Sequence, residues 1–255
     1  VIGIKVNISM IINNELAIEI REWADKYETA DFISSDPVQF PRRYSGRDAE
    51  VSGFITSWLS FGNRKAIIGA AERMDREFGG SPYGWLMDRQ YVKYKGNMKK
   101  VYRFLSYYDL YNFCSRLKSL YMGFETMEDM VLTSPKRPPV TKLAYLFSGI
   151  NGIPVCVEGG SACKRLSMFL RWMVRKDSPV DLGIWQRVDP KDLIIPLDVH
   201  IHNVALELGL TSRKRADMKA AMEVTEAMRQ IFPDDPARGD FALFGYGIEK
   251  IKELE

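Results

Sequence analysis

The sequence predicts an all-α fold. Apolar residues recur at helical spacing along most of the chain, continuous β-alternation is scarce, and the helical stretches are punctuated by Gly and Pro signals. At 255 residues the chain is long enough for one large domain, or for two lobes sharing a buried core.

The elements follow in order. Leu16, Ile20, Trp23 and Ala24 form one face of a first amphipathic helix. Ser34-Ser35-Asp36-Pro37 is a turn cluster, and Pro41 to Gly46 a polar loop. From Asp48 to about Ser60 the apolar density (Val51, Phe54, Ile55, Trp58, Leu59) predicts a buried helix, broken at Gly62-Asn63. A helix from Lys65 to Phe78 stops at Gly79-Gly80. Residues 83–132 read as three or four short helices rich in aromatics, and Ser134 to Pro139 as a break. Residues 140–149 and 161–175 are again helical. A long connection carries Pro179, Pro190 and Pro196, helices follow at about 199–208 and 214–231, and a last one starts near Arg238. Neither an internal repeat nor a low-complexity tract is visible.

Composition narrows the function classes. Apolar residues are 46% and charged residues 27%, which excludes wholesale disorder. Lys plus Arg is 36 against 33 Asp plus Glu, so a polyanion would have to be met by clustered basic groups. Such groups recur at Arg42-Arg43, Arg64-Lys65, Lys99-Lys100, Lys164-Arg165 and Arg213-Lys214-Arg215; each alone is equally a solvated surface pair. Cys114, Cys156 and Cys163 form neither a C-x-x-C pair nor a set of four, which argues against a disulfide scaffold, a structural zinc site and a ligated iron–sulfur cluster. No cofactor and no metal are expected. No apolar run reaches transmembrane length, and Val1 to Ile12, interrupted by Lys5, reads as no signal peptide, so a cytoplasmic protein without a membrane partner is expected.

Two segments carry chemistry. In Ile195-Pro196-Leu197-Asp198-Val199-His200, a carboxylate follows a proline at the start of a helix. It is either an N-cap or a functional acid. In Glu158-Gly159-Gly160-Ser161-Ala162-Cys163-Lys164-Arg165, a Gly-containing turn leads into a helix whose first turn carries a lysine; amides at such a start can hold a phosphate. His200 and His202 are two apart and do not share a helix face, so they make no metal pair. Trp172, Trp185, Phe169 and Met168 fit either a base pocket or plain core.

Together these segments resemble the helix-hairpin-helix DNA glycosylases, the superfamily of endonuclease III and eight-oxoguanine glycosylase. That superfamily pairs a G-V-G-x-K hairpin with a later P-V-D-x-H. Gly160-Ser161-Ala162-Cys163-Lys164 falls on the first, with Ala162 in place of the second glycine, and Pro196-Leu197-Asp198-Val199-His200 on the second. Ile55 to Ile67 looks like the family's helix, Ser- and Asn-containing loop and next helix. Glu72-Arg73, Phe78-Gly79, Phe232-Pro233 and Phe241 to Gly247 extend the likeness to roughly residues 48–248, nearest the eight-oxoguanine branch. Asp36-Pro37-Val38-Gln39-Phe40-Pro41 and Gly62-Asn63-Arg64 also resemble an uncharacterised bacterial branch, a family of unknown function associated with that superfamily.

The resemblance implies a two-lobed unit over 1–255, with a central bundle at 50–175 that includes the hairpin and a second lobe from 1–49 and 176–255. It implies a monomeric base-excision repair glycosylase with apurinic-site lyase activity on oxidised purines in double-stranded DNA, cytoplasmic and without an iron–sulfur cluster. Lys164 would be the Schiff-base nucleophile, which requires an uncharged amine. Asp198 would be the carboxylate that stabilises positive charge developing on the sugar. Asn63, Arg64, Gly160, Ala162 and His200 would contact DNA, Asn63 filling the gap left by an extruded base, though Asn63 could equally cap the next helix. If the hairpin needs a positive φ at Ala162, that residue is strained or the hairpin reshaped. Lys164 and Asp198 are 34 residues apart, and the surplus, about Arg175 to Lys191, is either a surface loop or part of the pocket. A non-catalytic nucleic-acid-binding or interaction module on the same fold is the alternative. The two differ simply: a catalytic pair must face one cleft.

Overall fold

The computed structural model describes residues 12–133, 138–156 and 160–254, and side chains as far as 251. The expected break at 134–137, the Glu158-Gly159 end of the hairpin and the apolar N-terminal stretch lie outside the described residues.

The chain is mostly helical. In order come α1 (Asn14–Tyr27), α2 (Asp31–Ser35), α3 (Gly46–Leu59), α4 (Arg64–Phe78), α5 (Pro82–Met87), α6 (Tyr107–Tyr121), α7 (Met127–Leu132), α8 (Pro139–Leu146), α9 (Lys164–Val174), α10 (Val199–Glu207), α11 (Met218–Ile231) and α12 (Gly239–Leu254). Their ends follow local chemistry. Asn13, Asn63, Asp198 and Asp217 cap α1, α4, α10 and α11 with side-chain oxygens. Ser106 and Thr126 open α6 and α7 through full capping boxes with Asp109 and Asp129. Gly79, at φ +59°, ends α4 in the left-handed conformation that a glycine adopts without steric cost.

The all-α expectation holds, and the reading of residues 83–132 as helices alone needs a correction. Between α5 and α6, Lys100–Tyr102 (β1) and Leu105–Ser106 (β2) pair antiparallel in a small hairpin. Strands of three and two residues are too short for alternation to register. The expected start of α11 at 214 also moves, to Met218, because Asp217 is its cap.

Helix α3 is the central element. It packs against α4, α5 and α9, and against the 3-10 turns Pro37–Gln39 and Pro41–Arg43. Eleven of its residues are buried, from Ala49 to Leu59. Such a helix has little amphipathic contrast and belongs in an interior. Around it Phe54, Phe113, Phe147 and Phe169 interlock with ring centroids 4.7–5.5 Å apart. A second group consists of α1, α10, α11 and α12, with α1 and α12 in the longest contact. One continuous apolar core joins both groups.

The connection 176–196 is not a loose surface loop. Val180, Asp181, Trp185 and Val188 are buried, and the Trp185 indole N–H donates to Glu50 Oε1 at 2.7 Å. Arg175 donates to Asp181, Glu28 and Asp235 at 2.6–3.0 Å. Arg171, also buried, pairs with Asp181 and Asp240. These groups pin the connection to α1, α9 and α12. Among the described residues no helix is long and apolar enough to cross a membrane.

Candidate functional site

Pro196 is buried and brings the chain to Asp198, from which α10 starts. One carboxylate oxygen, Oδ1, accepts from the Ile201 amide at 2.9 Å. The other, Oδ2, meets Lys164 Nζ at 3.0 Å. The sequence left two roles open for this carboxylate, and its two oxygens are divided between a cap and a lysine. Burial would raise its pKa, but the Lys164 ammonium, the Ile201 amide and the charge of His200 bring it below the ordinary carboxylate value.

Lys164 is the first residue of α9. The turn before it is tied down by backbone. Ser161 bridges to Asp217, and the Met218 amide donates to the Gly160 carbonyl at 3.0 Å. The Cys163 amide donates to Ser161 Oγ at 3.1 Å. The left-handed residue is Cys163, at φ +52°, and not Ala162. Ala162 is buried and has no positive φ, so no left-handed strain falls on it.

The pair opens on a cleft of about 480 Å³, a volume typical of small-molecule sites. Its lining comes from α2, the loop 60–62, α4, α9, α10 and α12. Lys164, Asp198, His200 and Arg64 all line it. Asn63, Gly160 and Ala162 do not. Asn63 is exposed beside the cleft and caps α4, its side chain accepting from the Ala66 amide at 3.3 Å. None of the lining residues comes from 176–191, so the surplus length does not shape the cleft. Met168 lines it, whereas Phe169, Trp172 and Trp185 are core.

Several lining residues were not picked out from the sequence. Asp240 opens α12 and pairs with Arg171; burial lifts its carboxyl to about 6, against the pull of Arg171 and Lys164. Phe32 and Phe244 form an aromatic wall, rings 5.3 Å apart, and the Arg64 guanidinium lies 5.1 Å from the Phe244 ring centre. Asp36 is buried, accepts from the Val38 amide at 2.9 Å, and has its carboxyl raised by burial. The i, i+4 spacing of Asp240 and Phe244 was the available signal, since it sets both on one helix face.

Basic groups divide into two kinds. Arg43 pairs with Glu72 and Asp75, Arg213 with Asp217, and Arg42 donates to the carbonyls of Val180 and Asp181. Arg165 donates to the carbonyls of Trp58 and Gly152 and lies over Phe61, and burial lowers it to about 10. These four serve the fold. Lys65, Lys99, Lys100, Lys214 and Arg215 are exposed. The β1–β2 tip adds Arg103 and half-exposed Phe104, whose ring packs 4.8 Å from Phe61, next to the Gly62 loop. His202 is buried, with Nε2 2.8 Å from the Arg213 carbonyl, a structural position. Among the described residues no group of three or more His, Cys, Asp or Glu side chains could hold a metal ion.

No curated protein and no solved structure matches the chain. A family match spans residues 36–249, which includes every wall of the cleft except Phe32, Lys250 and Ile251. The chain therefore belongs to the DUF2400 family, described as a protein of unknown function.

Proposed function

We propose that this chain is a DNA N-glycosylase with apurinic-site lyase activity, built as a two-lobed helix-hairpin-helix unit and acting on an oxidised purine turned out of double-stranded DNA. The observation that carries the proposal is the 3.0 Å approach of Lys164 Nζ to Asp198 Oδ2 at a cleft of nucleobase-compatible size. These two residues, 34 apart in sequence and each in a motif of its own, line one cavity.

The chemistry follows from the groups present. A base in the stack is out of reach, so the nucleotide must enter the cleft. There its ring can lie against Phe32 and Phe244 in place of Arg64, with Asp240 and Asp36 facing its polar edge. As the bond from C1′ to the base nitrogen breaks, its electron pair leaves with the base and positive charge grows on the sugar. Asp198, held ionised, stabilises that charge. Asp198 Oδ2 is also positioned to take a proton from Lys164 Nζ, freeing the amine lone pair to attack C1′. Opening of the sugar ring then gives an imine, and loss of a proton from C2′ expels the 3′ phosphate. Exposed Lys65 and Lys99, with Arg103 and Phe104 beside the Gly62 loop, would meet the duplex, and Lys100 donates to the Phe104 carbonyl at 3.0 Å within that tip. The protein would act as a monomer.

A panel of duplexes, each with one damaged base, tests this directly. Base release from an oxidised-purine duplex is expected, and Asp198→Asn should abolish it while duplex affinity stays within about threefold. Equal loss of binding and release would remove Asp198 from the chemistry. Binding without release of any base across the panel would favour the non-catalytic module.

A further inference from the structure

The segment from Arg89 to Tyr108 carries six cations, Arg89, Lys93, Lys95, Lys99, Lys100 and Arg103, and no carboxylate. The whole chain nets only +3, so this stretch concentrates positive charge in one place. It includes the β1–β2 hairpin, whose turn is Arg103-Phe104. The Phe104 ring stands at that turn, 51% exposed. Arg103 before it is held at φ +49°, a left-handed conformation that hairpin turns usually give to Gly, Asn or Asp.

The tip is fastened to the rim of the cleft. Tyr102 Oη donates to the Phe61 carbonyl at 2.5 Å, and Lys100 Nζ to the Phe104 carbonyl at 3.0 Å. Arg73 Nη2 donates to the Val101 carbonyl at 3.2 Å. The Phe61 ring packs against Phe104 at 4.8 Å between centroids, and edge-on against Tyr102 at 5.0 Å. Gly62 approaches Arg103 so closely that a Cβ there would lie 2.4 Å from Nη1. Ser60 and Gly62, on either side of Phe61, line the cavity that Lys164 and Asp198 share. Asn63, next along that loop, has its side-chain oxygen engaged in capping α4. An exposed aromatic ring is therefore fixed at the lip of the cavity, with exposed Lys99 and Arg103 on the same hairpin.

We propose that Phe104 is a stacking wedge for double-stranded DNA. It enters the base stack beside a nucleotide that has left it, while Arg103 and Lys99 meet the flanking phosphates. The inference rests on the reading that a nucleotide is turned into the cleft. Removing a base from the stack exposes the faces of its neighbours and leaves a gap into which the base can return. An apolar ring covers those faces and holds the gap open. Phenylalanine has no polar edge, so it stacks on any neighbouring base without reading sequence. A ring already ordered by Phe61 and by the bonds that hold its turn loses little freedom on insertion.

Fluorescence of 2-aminopurine tests this without requiring base release. The full chain is titrated into a duplex carrying a stable abasic analogue, with 2-aminopurine opposite it, and into the same duplex without the abasic position. Wild type should raise the fluorescence of the abasic duplex and bind it more tightly than the intact one. Phe104→Ala should lose that rise and about tenfold in affinity for the abasic duplex, with intact-duplex affinity kept within about twofold. Phe104→Tyr should keep both. Arg103→Ala should weaken binding to both duplexes alike and reduce the slope of log affinity against log salt by about 1. A rise undiminished in Phe104→Ala, equal loss of affinity for both duplexes in that variant, or no rise with wild type would overturn the wedge. A rise that Phe104→Ala abolishes sustains the wedge even if no lesion is excised, and then only the glycosylase reading fails. Base release without any rise removes the wedge and leaves that reading standing.

Discussion

Two sets of cation–carboxylate pairs lie within one helix of each other, and they are built differently. Arg171, in the second half of α9, and Arg175, the cap at its C-terminal end, are buried and share Asp181, Glu28, Asp235 and Asp240 among them. All three nitrogens of Arg175 are committed, and the cations are arginines, whose planar forks suit several carboxylates at once. Lys164, at the first residue of the same helix, has one carboxylate partner, and both side chains are about one-third exposed, 36% and 30%. The arginine network fixes how α9, α12 and the 176–196 connection sit together. The lysine pair faces a cavity with one bond to give up. A lysine can lose its proton and become a nucleophile, and an arginine in a protein does not.

The contrast breaks first at Arg175. Arg175→Ala leaves buried Asp181 and Glu28 short of a partner, so a loss of about 3–5 kcal/mol is expected in urea unfolding. If the loss is under about 1 kcal/mol, the network is not what fixes α9. Lys164→Ala should change stability by only about 0–1 kcal/mol, the scale of an exposed pair, while removing lyase activity entirely. Asp198→Asn should be smaller still in stability, because an asparagine oxygen can also accept from the Ile201 amide and the two residues cap about equally well. A large destabilisation by Asp198→Asn would mark that carboxylate as structural.

Two pH responses sharpen the comparison. Asp198 has a lowered pKa, so its folded form loses its proton before the unfolded chain does. Its stabilisation is present above the ordinary carboxylate range and is lost as pH falls through the lower folded value. Asp240 has the opposite sign. With its carboxyl raised to about 6, the folded state retains a proton that the unfolded chain has released, so its contribution to stability falls as pH rises from about 4 to 6. Base release should therefore carry a limb near pH 6 that Asp240→Asn removes, read from single-turnover rates between pH 5 and 8. A limb that persists in the variant belongs to another group. The smallest effect concerns binding: Lys65→Ala and Lys99→Ala should each reduce the slope of log affinity against log salt by about 1.

Much of this architecture was readable from residue patterns, and the parts that were not share a cause. Helix positions followed from apolar spacing and from stop signals such as Gly79. The β1–β2 hairpin escaped because two- and three-residue strands leave no alternation. The candidate pair was legible because Pro196-Leu197-Asp198 and Gly160 to Lys164 are local motifs. Asp240, Asp36 and the aromatic wall were not, since their meeting depends on α2, α4 and α12 folding onto α9 and α10. Charges behaved likewise. Arg42-Arg43, Arg165 and Arg213 look in sequence like surface groups, yet each is bound to carbonyls or carboxylates of distant segments. The sequence left open whether Ala162 takes a positive φ; the turn has it at Cys163, which no residue pattern announces.

The central claim is that Lys164 is a nucleophile and not one more ion-paired surface cation. Borohydride reduction during reaction with an oxidised-purine duplex tests it most directly. The account predicts a stable protein–DNA adduct on the wild-type chain, located by digestion to Lys164 and absent in Lys164→Ala. An adduct that survives in Lys164→Ala, or no adduct from a protein that releases the base, would contradict it.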